Sequence, residues 1–233
     1  VVGSSANAFS YELNGNTNID NYEISKQEGT LTVTNREAKY EITVKANSAT
    51  ATYDGKEHEA VGVETYEFTV EGNSYTVSGL STEDPKQKDA GSYTNNITGT
   101  PVVTDKEGNV VTSEFEVKTE NGSLEIGKAA VTLKSATLSK KYDGNALVNG
   151  DTALEIESGF AEGEGATYNF TGSQTVVGSS ANAFSYELNS NTNIDNYEIS
   201  KQEGTLTVTN REAKYEITVK ANSATATYDG KEH

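Results

Sequence analysis

Apolar and polar residues alternate along most of this chain. Tyr40, Ile42 and Val44 are interleaved with Glu41, Thr43 and Lys45, and Tyr66, Phe68 and Val70 with Glu67 and Thr69. Phe115/Val117 and Leu124/Ile126 follow the same rule. Further on come Val131/Leu133, Leu154/Ile156, Tyr168/Phe170, Phe184/Tyr186/Leu188, Tyr197/Ile199 and Leu206/Val208. A period of two predicts strands with one buried and one wet face. Turn chemistry punctuates them: Asp54-Gly55, Glu71-Gly72-Asn73, Glu107-Gly108-Asn109, Glu120-Asn121-Gly122, Asp143-Gly144 and Asn149-Gly150. Asn121-Gly122 reads as a tight hairpin turn, with Gln202-Glu203-Gly204 as its later equivalent. No segment has a helical period, and the polar stretch 81–90 reads as a loop. Short strands with frequent turns predict an all-β protein, most simply two-sheet sandwiches of Ig-like type, with a β-grasp-like module as the alternative.

The pattern also repeats. Residues 1–58 recur as 176–233 with one difference, Gly15 against Ser190. A weaker repeat lies inside this one. Tyr53-Asp54-Gly55 returns as Tyr142-Asp143-Gly144 and Tyr228-Asp229-Gly230. Gly29-Thr30-Leu31-Thr32-Val33 returns as Gly122-Ser123-Leu124-Glu125-Ile126 and Gly204-Thr205-Leu206-Thr207-Val208. Ala90-Gly91-Ser92-Tyr93 is matched to the stretch from Ser180 to Tyr186. Each long period therefore holds two diverged modules: A, expected at 39–128, and B, expected at 129–211. Residues 1–38 are expected to be the back part of a B-type module, with strand edges that recruit a partner. Residues 212–233 are expected to be the first strands of a following A-type module. Long near-identical repeats point to an extended modular array. The junctions Lys128-Ala129-Ala130 and 209–214 contain no Pro or Gly/Ser spacer, which predicts stiff end-to-end succession.

Composition narrows the partners. Hydrophobic residues make up 33% of the chain, enough for thin cores when so regularly placed. A formal charge of −17 argues against nucleic acid and anionic membranes. The chain has no Cys, which excludes disulfides, thiolate catalysis and cysteine metal sites. It shows no signal peptide, transmembrane run or lipidation motif, so no membrane insertion is expected of this segment.

Tyr142-Asp143-Gly144, Gly172-Ser173-Gln174-Thr175, Asn196-Tyr197-Glu198-Ile199 and Gly204-Thr205-Leu206-Thr207-Val208 occur in the order of a known module. In that order they resemble the MBG/YDG-type, Ig-like tandem repeat of large Gram-positive cell-surface adhesins. Module A departs from it where Lys88-Asp89-Ala90-Gly91-Ser92-Tyr93-Thr94 replaces the Gly-Ser-Gln-Thr element. The resemblance implies an extracellular, cell-wall-attached repeat near mucin-binding modules and without catalysis. It also brings to mind Lys–Asn isopeptide cross-links between first and last strands. Lys45 and Asn121 stand in such places in module A, whereas in module B Lys134 faces Gln202-Glu203.

Candidate chemistry is sparse. Each Tyr-Asp-Gly reads as an Asp-Gly turn with Tyr at the core edge, against the alternative of a ligand-contact loop. Asn14, Asn16, Asn18 and Asp20, repeated as Asn189, Asn191, Asn193 and Asp195, alternate like calcium ligands. Ile19 and Ser25 occupy the sixth and twelfth places, where an EF-hand loop needs Gly and Glu, so a polar loop is the better reading. His58 and His233 are one site in successive copies, so neither a Ser–His–Asp set nor a two-His metal site can be built. No carboxylate pair stands out as a glycosidase would require. Three Asn-x-Ser/Thr sequons, at Asn96, Asn121 and Asn169, are accidental in a bacterial protein. No catalytic, cofactor or metal residue is assigned, and the ligand-binding residues are left unknown. The expected function is a structural stalk or fibre that projects a distal domain. The alternatives are a multivalent, weak glycan- or mucin-binding module and a self-associating filament subunit, with neighbouring repeats as partners in each case.

Overall fold

The computed structural model describes residues 2–34, 37–150 and 154–232, and they are almost entirely β. The chain divides into two units between Gly127 and Lys128. In the first, β1 (Gly3–Asn7) and β2 (Gly29–Val33) form an antiparallel pair with every residue exposed.

Module A follows with β3 (Tyr40–Lys45), β4 (Ala49–Thr52), β5 (His58–Glu59), β6 (Glu67–Val70), β7 (Asn73–Thr82) and β8 (Lys86–Gln87). It ends with β9 (Gly91–Asn95), β10 (Ile97–Asp105), β11 (Phe115–Glu120) and β12 (Gly122–Gly127). β6 and β7 make a hairpin, closing on Val70 opposite Asn73. Its two turn residues, Glu71 and Gly72, both have positive φ, as a twist-matched hairpin turn requires. β7 pairs with β10, and β12 lies between β4 and β9. Ile42, Val44, Val77, Val103 and Phe115 form one buried cluster. The rings of Tyr40 and Tyr75 lie 5.6 and 4.7 Å from that of Phe115.

Module B lies in the second unit. It contains β13 (Ala129–Lys134), β14 (Leu138–Lys141), β15 (Leu147–Val148), β16 (Ile156–Ser158), β17 (Ala166–Phe170) and β18 (Ser173–Gln174). β19 (Gly178–Ala181), β20 (Phe184–Leu188), β21 (Tyr197–Gln202) and β22 (Thr205–Thr209) complete it. Its buried apolar residues include Val131, Leu133, Phe184, Tyr197, Leu206 and Val208.

The two modules share five strand pairings. Strands β3 and β11 run parallel, as do β13 and β21. β4 runs parallel to β12, and β14 to β22. The antiparallel pairs β9–β12, β5–β8 and β7–β10 correspond to β19–β22, β15–β18 and β17–β20. They differ in the segment before these: module A adds β6 to β7, and module B lays β16 against β13.

Several sequence expectations are corrected. Asn121-Gly122 is not a hairpin turn. β11 and β12 pair with different strands, so Gly122 marks the point where the chain passes from one sheet to another beside the segment from Ala46 to Ser48. Residues 81–90 are not all loop, because β7 runs to Thr82 and β8 pairs with β5. Ile156 is exposed and Leu154 only half-buried, so this pair does not form a core face. Strands β7 and β10 supply Val77 and Val103 to the core, although Ser, Thr and Gly dominate both and hide the alternation. The element matched to Ser180–Tyr186 is also out of register. Gly91 stands opposite Ile126 and Gly178 opposite Val208, so Gly91-Ser92 corresponds to Gly178-Ser179 and Asn95 to Asn182.

Candidate functional site

The Tyr-Asp-Gly turns are built from local hydrogen bonds. Asp54 Oδ1 accepts from the Lys56 amide at 2.9 Å and lies 3.0 Å from His58 Nε2, while Gly55 takes φ +80°. Asp143 Oδ1 accepts from the Asn145 amide at 2.9 Å and from Lys140 Nζ at 2.8 Å, with Gly144 at φ +86°. Asp229 Oδ1 accepts from the Lys231 amide at 3.0 Å. The Lys56 amide first, then His58, holds the Asp54 carboxyl below its usual range; at Asp143 the Lys140 ammonium leads and the Asn145 amide follows. Tyr53 is buried, and its amide donates to the Gly127 carbonyl. Tyr142 is half-buried, and its amide donates to Thr209. The Asp54 and Asp143 turns therefore each anchor a core-edge tyrosine beside the last strand of their module, whereas Tyr228 at the Asp229 turn is exposed.

Three side chains of the Asn-rich runs, Asn18, Asn191 and Asn193, bond to backbone groups. Asn18 Oδ1 and Asn193 Oδ1 cap short 3-10 turns, Ile19–Asn21 and Ile194–Asn196, by accepting from the amides of Asp20 and Asp195. Asn191 Nδ2 donates to the Gly163 carbonyl. Among the described residues no group of three or more His, Asp or Glu is placed to hold a metal ion.

Lys45 stands opposite Glu120 in the ladder, one position from Asn121, and the two side chains are bonded to different partners. Lys45 Nζ is ion-paired to Glu120 at 2.8 Å. The Asn121 amide accepts from the Ile97 amide and donates to Asn96 Oδ1. Lys134 is paired with Glu155. His233, the second copy of the His58 site, lies outside the described residues.

The best-formed polar cluster is internal. At the sheet crossing of module A, Asn95 is fully buried. Its Nδ2 donates to the Asn47 carbonyl at 3.1 Å, and its Oδ1 accepts from the Asp84 amide. A Cβ on Gly122 would lie 2.2 Å from that same Asn47 carbonyl. Module B repeats the device. Asn182 is fully buried and donates to the Ala136 carbonyl at 2.9 Å, and a Cβ on Gly204 would lie 2.3 Å from that carbonyl. Ser135 Oγ completes the crossing by donating to Asn182 O and accepting from the Gly204 amide. Alternation gives no warning of these asparagines. Their signal is the recurrence of Asn after the Gly-Ser strand, visible once the two modules are in register.

The described surface carries several open recesses. One recess of about 420 Å³ is lined by Thr65, Glu67, Phe68, Ser74, Thr76 and Lys106 among others, on the solvent side of the β6–β7 hairpin. Within 39–211 every described Tyr and Phe is buried or half-buried. The exposed aromatics among the described residues, Phe9, Tyr11, Tyr22, Tyr215 and Tyr228, all lie in 1–38 and 212–232.

Comparison with family models, with curated proteins and with solved structures gives no match to this chain.

Proposed function

We propose that this chain is a structural segment of a repetitive stalk or fibre, non-catalytic and exposed on a bacterial cell surface, built from Ig-like sandwich modules of the MBG/YDG type. The observation that carries this reading is the fidelity of the repeat at positions with no packing role. Ser185, Glu187, Glu198 and Gln202 are exposed in module B, yet each recurs unchanged at 10–27 alongside the buried Leu206 and Val208. Core packing alone would let these surface residues drift. The sandwich reading draws on the passage of two strands together from one sheet to another in each module. The β-grasp alternative shares the parallel first and last strands but needs a helix across its sheet. The multivalent glycan reading has less support, because the described residues of the two modules present no exposed aromatic ring for a sugar face.

A stalk needs length that adds with each module. A strand of six to ten residues contributes about 20–35 Å along an axis. Small-angle scattering on proteins of two, four and six modules measures the growth. Maximum dimension rising in proportion to module number is the expected result. Growth near the square root of that number describes flexible beads and removes the stalk reading.

A further inference from the structure

The parallel pairing of first and last strands has a mechanical consequence. In module A, Tyr40–Lys45 runs beside Phe115–Glu120 over six partner positions. The same two segments, after crossing together, pair again as Leu124–Gly127 beside Ala49–Thr52 over four. Module B repeats six and four, with Ala129–Lys134 beside Tyr197–Gln202 and Leu138–Lys141 beside Leu206–Thr209. The chain enters each module at one end of this double ladder and leaves at the other. Because the strands are parallel, tension on the two ends of a module slides one strand along the other. Every ladder hydrogen bond is then strained at once, whereas force across the ladder opens the bonds one after another.

A second feature blocks the slide. Gly122 and Gly204 sit where a Cβ would meet backbone, at 2.2 and 2.3 Å. A slip of one residue would drive Asn121 or Ser123 of module A, or Glu203 or Thr205 of module B, into the space that only glycine fits. Buried Asn95 and Asn182 tie the same carbonyls from the other side. Across the outer face of module A, Lys45–Glu120 and Lys118–Glu41 bridge the two strands at 2.8 and 3.0 Å, exposed and contributing little.

We propose that each module is a tension-bearing clamp, with the parallel terminal strands as the resisting element and the Gly122 and Gly204 crossings as its catch. The use of such a clamp in a stalk rests on the stalk reading. The clamp itself rests on strand geometry alone, so pulling can fail while scattering succeeds, and the reverse.

The chain has no cysteine, so introduced pairs fix the direction of force in an optical-trap or force-microscope experiment on the full chain. E41C/E125C loads module A along its double ladder. E41C/E116C pulls on register partners and peels the ladder. In module B the corresponding pairs are A130C/T209C, with Thr209 two positions beyond Thr207, the equivalent of Glu125, and A130C/E198C. All these positions are exposed; E41C removes the Glu41–Lys118 bridge from both module A pairs alike, E125C also gives up the bond from Ser92, and the cysteines are kept reduced until the handles are attached because register partners lie close enough to cross-link. At one pulling speed the lengthwise pair should need at least about threefold more force than the crosswise pair, because forced unfolding follows the barrier along the pulled direction. Equal forces in the two directions, in either module, would overturn the proposal.

Discussion

Residues 3–33 and 178–208 carry one sequence, apart from Gly15 against Ser190, in two settings. In the later copy the preceding forty-odd residues supply β13, β14 and β17. In the earlier copy none of the described residues plays that part. Leu206 is 0% exposed where Leu31 is 55%, and Tyr197 is 3% where Tyr22 is 61%. The segments equivalent to β20 and β21 are not strands in the earlier copy. The same contrast holds for the front half of module A: Val44 is 0% exposed and its copy Val219 is 90%. Burial of each residue is therefore set by the other half of its module.

What survives in the earlier copy shows what the repeat specifies alone. β1 and β2 keep the register of β19 and β22, Gly3 to Val33 matching Gly178 to Val208. Ser4 bonds Thr32 at 3.0 Å as Ser179 bonds Thr207. Asn18 caps its 3-10 turn as Asn193 does, and Lys26 lies over the Phe9 ring as Lys201 lies over Phe184. Contacts made within the back half persist. Those that need strands from the front half of the module, the antiparallel β17 as well as the parallel β13 and β14, do not, as expected when long-range contacts carry most of the burial.

The sharpest way to break this comparison is to add one methyl group at the same place in both copies. Gly204→Ala pushes Cβ to 2.3 Å from Ala136 O and 2.5 Å from Ser135 O, both backbone atoms held by the ladder. The cost should reach about 4 kcal/mol or more, enough to unfold module B. Gly29→Ala meets nothing nearer than Asn7 Cβ at 3.6 Å and should change stability by less than about 0.5 kcal/mol. Amide exchange followed by NMR separates the two copies. Equal losses at both sites would mean that the crossing is not what demands glycine.

A cavity gives the next largest contrast. Leu206→Ala should cost about 2–5 kcal/mol, because a fully buried side chain is removed from the core of module B. Leu31→Ala removes an exposed side chain and should fall within about 0.5 kcal/mol of the parent. Urea unfolding of each variant measures both. A cost at Leu31 close to that at Leu206 would show that residues 3–33 bury this face after all.

The strands that fill the core with Ile, Val, Leu and aromatic residues at alternate positions were legible, as at Ile42/Val44 and Leu206/Val208. Strands β7 and β10 were not, because Ser, Thr and Gly on both faces erase the period that a reader relies on. The turns at Asp54-Gly55 and Glu71-Gly72 were legible from their chemistry. Asn121-Gly122 misled, because the dipeptide that closes a hairpin also suits a chain crossing between sheets, where the need is for absent volume and not for a turn. Only the parallel partner at Asn47 makes that distinction, and parallel pairing over seventy residues leaves no local mark. The same distance hid Asn95 and Asn182, whose partners Asn47 and Ala136 lie about fifty residues away.

The smallest expected effect compares two copies of one turn, Asp54 and Asp229. In module A the Asp54 carboxylate accepts from the Lys56 amide and lies against His58, and these contacts hold its protonation below the ordinary range. A carboxyl that is harder to protonate when folded takes up a proton on unfolding in acid. Its contribution is therefore complete above the unfolded value of about 3.9 and is lost as pH falls through the lower folded value. Asn at this position keeps an oxygen for the Lys56 amide but has no charge to titrate. Asp54→Asn should thus lower the urea midpoint of module A slightly at neutral pH. The gap from the parent should close as the pH is taken from about 5 to about 2. Asp229→Asn, which alters the same tripeptide outside the module, should leave the module A midpoint unmoved at every pH. A gap for Asp54→Asn that stays constant across this range would assign the loss to turn geometry, and the carboxylate would have no part in the acid response.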